Sequence, residues 1–484
     1  MSSHARVRRL AVALVTVVLL PAGAAQAAPA DALDAGRGYD VDHYNIRVAY
    51  TPSTDRLTGN TWIRAHATQA LSRFDLDFAL PVSRVWVNDR PASFTSAGHE
   101  LVVTPPTALR EGQAMMVRVE YAGAPSRIRT SSGAVAAGRS GTSEWWYPSN
   151  DRPTDKATYD VRVTVAKGLE AIGNGNLVSK HVRHGLRTWH WGGPDPMAPY
   201  LAFFVVGQYD VARTRVDGHP VVTAVATHGR REGRRATAAL ARTPEVVEFG
   251  SREFGAYPFD AMGGVATDGS TGFTMENQTR PVYARSFWHD GPNVYVVVHQ
   301  VAHQWFGDSV SVEDWSDIWL NEGFASYAEW RWSELHSGGN GRQLFRAAWG
   351  DHAGDSAFWS VPIGAPTARQ KSGLAVLDRG AMALQALRTR IGGPAFFSVL
   401  RAWVAQHRHA NASTDDFVAL AEQESGEDLS SFFDAWLYTG ERPAPTRANG
   451  FPRDFDTSST GRSSAPPSWA EISRTHALLT SSPR

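Results

Sequence analysis

The chain is 484 residues long, 42% hydrophobic and 20% charged, which is the length of two or three domains and the composition of an ordinary globular protein. Lys plus Arg and Asp plus Glu both number 48, so no charge bias points to a nucleic acid or another polyion. The absence of cysteine excludes disulfides, thiolate metal ligands and a cysteine nucleophile together.

The first 27 residues read as an export signal. Arg6, Arg8 and Arg9 form a basic start, Leu10 to Leu20 is an apolar run, and Ala25-Gln26-Ala27 is an A-x-A cleavage signal. Cleavage after Ala27 and secretion are expected, with no stable membrane span afterwards, because Pro21 and Gly23 break the run early. From Tyr39 the pattern turns to strands: YNIRVAY, NTWIRAHA and FDLDFA alternate apolar and polar side chains, with turn signals at 52–55, 88–91 and 105–106. Leu101 to Val103 and Met115 to Tyr121 continue it, so residues 28–212 are expected to form an all-β, sandwich-like domain. Trp145 and Trp146 fit core or interface positions in it.

Around Ala212 to Asp217 the β pattern is expected to end. VVTAVATH adds one strand, Arg230 to Gly250 reads as helix, Gly263 to Thr267 as strand, and FTMENQTRPVY follows. The helix beginning NVYVVVHQVAH carries Val294, Val297, Val298 and Val301 as a candidate buried stripe. His299 and His303 stand four residues apart on one face, the pincer spacing of a zinc-binding helix. Glu322, in NEGFA on the next helical pattern, makes a third ligand and leaves one coordination position open, as catalytic zinc needs. The residue after the first His, which is the general-base Glu of an HExxH zinc peptidase, is Gln300, whose amide cannot accept the proton. A second long helical pattern spans Asp378 to Arg401, two more helices end at WLYTGERP, and residues 444–484, rich in Ser, Thr, Pro and Arg, read as a disordered tail.

HQVAHQWFGDSVSVEDWSDIWLNEGFASYAEW resembles the gluzincin metallo-aminopeptidases, the group that includes aminopeptidase N, whose pattern is HExxH, eighteen residues and then the Glu ligand. Residues 304 to 321 make that spacing here. The resemblance runs from about Tyr39 to Pro443, and takes in WWYPSNDRPTDKATYDVRVTV and MAPYLAFFVVGQYD of the first domain. It implies an α+β, thermolysin-like zinc-peptidase domain over residues 213–443, one Zn2+ on His299, His303 and Glu322, and a peptide or protein N-terminus as partner. Met275-Glu276-Asn277 then corresponds to the exopeptidase strand of the family, with Glu276 holding the substrate's free amino group, although Phe273 replaces its usual Gly. The Tyr that donates to the oxyanion falls on Leu377, ahead of Asp378-Arg379-Gly380-Ala381; Tyr327 and Tyr438 are the sequence candidates to substitute for it. The helical-repeat domain of the large members is absent from this sequence.

The function expected from these residues is a secreted, monomeric zinc-binding member of the metallo-aminopeptidases, built to bind peptide N-termini but catalytically impaired, because Gln300 and Leu377 replace base and donor. The alternatives are a working aminopeptidase with a substitute base, and a partner-binding protein without metal.

Overall fold

The computed structural model describes residues 37–125, 129–130, 133–136, 142–227, 229–269, 274–455 and 465–481. The signal-like residues 1–27 and Phe273 lie outside them. The alternating segments form a β domain around an eight-stranded sheet. At its centre Tyr39–Thr51 pairs antiparallel with Arg56–Ala67 and parallel with Ala157–Ala166. Period-two alternation sends Tyr44, Ile46, Val48, Ile63, Val117 and Val163 to one face. There they meet Leu76, Leu101 and Val103 of a three-stranded sheet and Ile172 and Val205 of a four-stranded one. On the other face Arg47 lies over Trp62 and Arg118 over Trp86, each at 4.6 Å, so the large rings left there are covered by guanidinium groups. Trp146 is buried in the core and Trp145 packs against His99.

Tyr209–Val216 ends within the expected range, crossing the boundary set at 212, and turns back as the expected further strand, His219–Ala226, through Asp217-Gly218. Both turn residues have positive φ, +48° and +84°, the backbone of a tight hairpin turn that keeps the strands in register. His219–Ala226 pairs parallel with Met262–Ala266, so this hairpin belongs to the second, α+β part of the chain.

That part contains α1 (Arg230–Leu240), α2 (Thr243–Phe254), α3 (Val294–Ala302), α4 (Trp319–Leu335), α5 (Gly341–Asp351), α6 (Ser356–Trp359), α7 (Leu374–Ile391), α8 (Gly393–Gln406), α9 (Thr414–Ser425), α10 (Ser430–Phe433) and α11 (Trp469–Thr480). Helix α3 is buried on every side from Tyr295 to Ala302, so the expected valine stripe is one face of a core helix. Helices α4 and α7 cross where glycine meets glycine: a Cβ on Gly323 would come 2.9 Å from Gly380 Cα. This close approach brings the segment around Leu377 and Asp378 beside the helix that carries Glu322. Gly380→Ala is expected to lower stability by about 1–3 kcal/mol, the usual penalty for overpacking. Urea denaturation checks it, and an unchanged midpoint would contradict the crossing.

The disordered tail expected over 444–484 is corrected for residues 444–455 and 465–481; residues 456–464 and 482–484 lie outside the described residues. Residues 444–455 continue the fold with Phe451 buried, and α11 packs Trp469, Ile472, Thr475 and His476 into the core. The apolar spacing of Trp469, Ile472 and Leu479 gives a helix enough buried area to dock despite its Ser- and Pro-rich approach.

The β domain is tied to the loop after α3. Lys156 Nζ donates to the carbonyls of Asp308, Ser309 and Ala410 at 3.1, 2.8 and 2.9 Å. Burial lowers its pKa to about 7. Arg280 donates in the other direction, to the carbonyls of Gly173 and Gly175.

Candidate metal centre

Helix α3 begins at Asn293, whose side chain accepts from the Val296 amide at 3.1 Å, and its last turn carries His299, Gln300 and the C-cap His303. Both imidazoles are 1% exposed. Their Nδ1 atoms are occupied: His299 Nδ1 lies 2.8 Å from Glu329 Oε1, and His303 Nδ1 lies 3.1 Å from the Phe306 carbonyl. Each ring is therefore held at Nδ1 and turns its Nε2 to the opposite side. Glu322, in the first turn of α4, meets them there, with Oε2 at 3.3 Å from His299 Nε2 and 3.8 Å from His303 Nε2.

These three atoms fit one metal ion. Bonds of about 2.0–2.1 Å around a tetrahedral zinc place its donor atoms roughly 3.3 Å apart. All three lie within 4.8 Å of one another. The electrostatics agree with the chemistry. Burial lowers the His303 pKa to about 4, which keeps that ring neutral and able to coordinate. Burial also opposes charge on Glu322 and on His299, but their mutual contact prevails, holding the carboxyl low and the imidazole high. A cation taking the proton's place between them satisfies the same charges.

Gln300 is 2% exposed, and its Oε1 is buried without a hydrogen-bond partner among the described residues. An orphaned buried carbonyl is unfavourable by about 1–3 kcal/mol. Leu377 is 2% exposed and packs in the hydrophobic core of the second part. Of the two substitute tyrosines, the Tyr327 hydroxyl lies 3.4 Å from Arg388 Nη1, behind α4, and Tyr438 is 41% exposed beside Gly364, with Asp415, Asp317 and Asp434 as its charged neighbours. Among the described contacts, neither hydroxyl is bonded to His299, His303 or Glu322.

Met275 makes both backbone hydrogen bonds of one antiparallel bridge to Val282, at 2.9 and 2.8 Å, on the outer side of the last strand of its sheet. Glu276 follows, half-buried. Asn277 is fully buried and donates to the Leu201 carbonyl at 2.9 Å. Gln304, one residue beyond His303, accepts from the Thr279 amide at 2.7 Å and donates to the Glu276 carbonyl at 2.8 Å, which staples this segment to the end of the metal helix.

Tyr200 is a site residue that the sequence did not single out. It is buried in the β domain, stacks edge-on against Trp315 at 5.2 Å, and lies within electrostatic reach of Glu276, Asp308 and Glu322, which together with burial push its pKa well up. Its only signal was membership of the MAPYL segment; the proximity comes from tertiary packing of the two parts.

A profile of the Peptidase family M1 domain matches residues 238–436. Aminopeptidase M1 of Arabidopsis thaliana is 26% identical over 336 residues, covering 63% of this chain and 36% of that protein. Aminopeptidase N of Lactococcus lactis subsp. lactis is 26% identical over 313 residues, covering 60% and 37%. The matched part thus spans about a third of the length of these curated relatives. The M1 zinc metallopeptidase of Deinococcus radiodurans superposes with a TM-score of 0.73 at 27% identity, covering 87% of this chain and 97% of that one. A mutant of it bound to a Tyr-Ser-Ala substrate superposes with a TM-score of 0.72 at 26% identity, covering 84% and 95%.

Proposed function

We propose that this chain, an M1 metallo-aminopeptidase family member with its M1 domain on residues 238–436, holds one zinc ion and binds free peptide N-termini with little or no peptide hydrolysis. The observation that carries this reading is an amide, Gln300, directly after His299 on the helix that holds two of three side chains able to share one ion. Zinc on His299, His303 and Glu322 would polarise a carbonyl and a water. Removing the water's proton needs a basic group, and an amide has none. Glu329 is no substitute, because it is bound to the Nδ1 edge of His299, away from the Nε2 edge that would face the metal. Glu276 supports the binding half of the proposal: a half-buried carboxylate directly after Met275, which bridges the last strand of its sheet, suits an ammonium at the end of an extended peptide.

Export is part of the proposal and rests on the basic start, apolar run and A-x-A site of residues 1–27. Amino-terminal sequencing of protein recovered from the culture medium tests it. A start at Ala28 supports export, and retention of the full chain inside cells contradicts it.

Peptide binding is tested by calorimetry on the zinc-loaded chain. A short peptide with a free amino terminus is expected to bind, and its N-acetylated counterpart is not. Glu276→Gln removes a charge-assisted hydrogen bond worth about 1.5–3 kcal/mol, so the free peptide should bind roughly 10- to 100-fold more weakly. Equal binding of the free and acetylated peptides would end the assignment of Glu276.

A further inference from the structure

The C-terminal helix α11 reaches the back of the metal centre. His476 Nε2 lies 2.9 Å from Glu329 Oε1, the oxygen that also faces His299 Nδ1. On its other edge His476 Nδ1 is hydrogen-bonded to Asp378 Oδ1, and Asp378 Oδ2 lies 2.8 Å from His352 Nε2. The sequence of contacts is therefore His352, Asp378, His476, Glu329, His299 and then the Nε2 atom of the metal cradle. It joins α5, α7, α11, α4 and α3. His476 and Glu329 are fully buried, Asp378 is 2% exposed and His352 8% exposed.

A ring between two carboxylates donates to both only when both nitrogens carry protons. Glu329 Oε1 thus accepts from His476 on one side and from His299 on the other. The cation fixes where that oxygen sits, and the oxygen fixes the ring angle and tautomer of the metal ligand. A second tie points the same way. Asn293 Nδ2 donates to Thr475 Oγ1 at 2.8 Å, and Asn293 is the residue that caps α3. Helix α11 therefore holds the metal helix at its first turn through Thr475 and behind its first ligand through His476.

We infer that His476 is a positioning residue for the metal centre, contributed by the C-terminal helix and acting through Glu329 on His299. The inference rests on the zinc-site reading above.

The test is zinc affinity, measured on the full chain by competition with a chelator and paired with the visible spectrum of the cobalt-substituted protein. His476→Gln keeps a donor toward Glu329 and removes the charge, so zinc should bind about 10- to 100-fold more weakly, with a shifted cobalt spectrum. Asp378→Asn loosens His476 from outside without touching α11, and should move affinity in the same direction by less. Ile472→Ala leaves a cavity under the same helix but lies outside the contact sequence, so it should lower the melting temperature and leave zinc affinity within about twofold. Unchanged affinity in folded His476→Gln and Asp378→Asn overturns the inference. So does an Ile472→Ala loss as large as that of His476→Gln, which would make the helix a packing element only. Should His476→Gln fail to fold, Asp378→Asn decides alone. An unmodified chain that takes up no zinc sinks the metal reading itself, and this inference falls with it.

Discussion

The double variant Gln300→Glu, Leu377→Tyr is expected to cleave aminoacyl-nitroanilides at least ~10²-fold faster than the unmodified zinc-loaded chain. A positioned base contributes about 10²–10⁴-fold and an oxyanion donor about 10²–10³-fold, and because both act on one transition state the two gains need not multiply. Glu fits position 300 without a change of shape. Tyr at 377 is the more demanding half, since Leu377 is 2% exposed and the ring must carry its hydroxyl out of the core toward the ligand set. Gln300→Glu alone should therefore give a smaller gain and keep the stability of the parent. A double variant that folds, loads zinc and stays inactive would mean that Leu377 is not the position of the donor, or that the cradle does not hold metal in a reactive geometry.

The second large effect is on metal content. The unmodified chain should retain one zinc per chain through dialysis, and His303→Ala should lose it, since two remaining donors do not make a structural or a catalytic zinc site. Inductively coupled plasma analysis reads the stoichiometry. Zinc content in His303→Ala equal to that of the parent would remove His303 from the ligand set. Loss of the ion should also reduce stability, because it would leave the buried His299 and His303 and the partly buried Glu322 without the cation they could share.

The sequence carried much of this site because its chemistry is local. His299 and His303 are one helical turn apart, so periodicity puts two donors on one face, and the spacing implied by the family resemblance adds Glu322 from the next long helix. The strands of the β domain were equally readable, since each buries one face and alternates. What failed was long-range. The Glu329–His476 contact joins residues 147 apart, and nothing near Glu329 announces it. His476 does leave a trace, a polar residue on the buried stripe of Trp469 and Ile472, but the Ser- and Pro-rich residues before it overwhelm a single short helix. Tyr200 was missed for the same reason, since only packing of the β domain on the metal domain brings it near Glu276 and Glu322. Asp378, Arg379 and Gly380 were read only as alignment markers. Asp378 is bonded to two histidines, Arg379 donates to the carbonyls of Trp436, Trp359 and Val361, and Gly380 makes room for α4.

The residues matched by the M1 profile thus bring His299, His303 and Glu322 within reach of one ion, with an amide directly after His299 where the proposal looks for a base. Turnover of a panel of aminoacyl-nitroanilides by the unmodified chain, carrying one zinc, tests this most directly. The account predicts a rate indistinguishable from that of a sample stripped of metal. Turnover that is abolished by a chelator and restored by added zinc would contradict it.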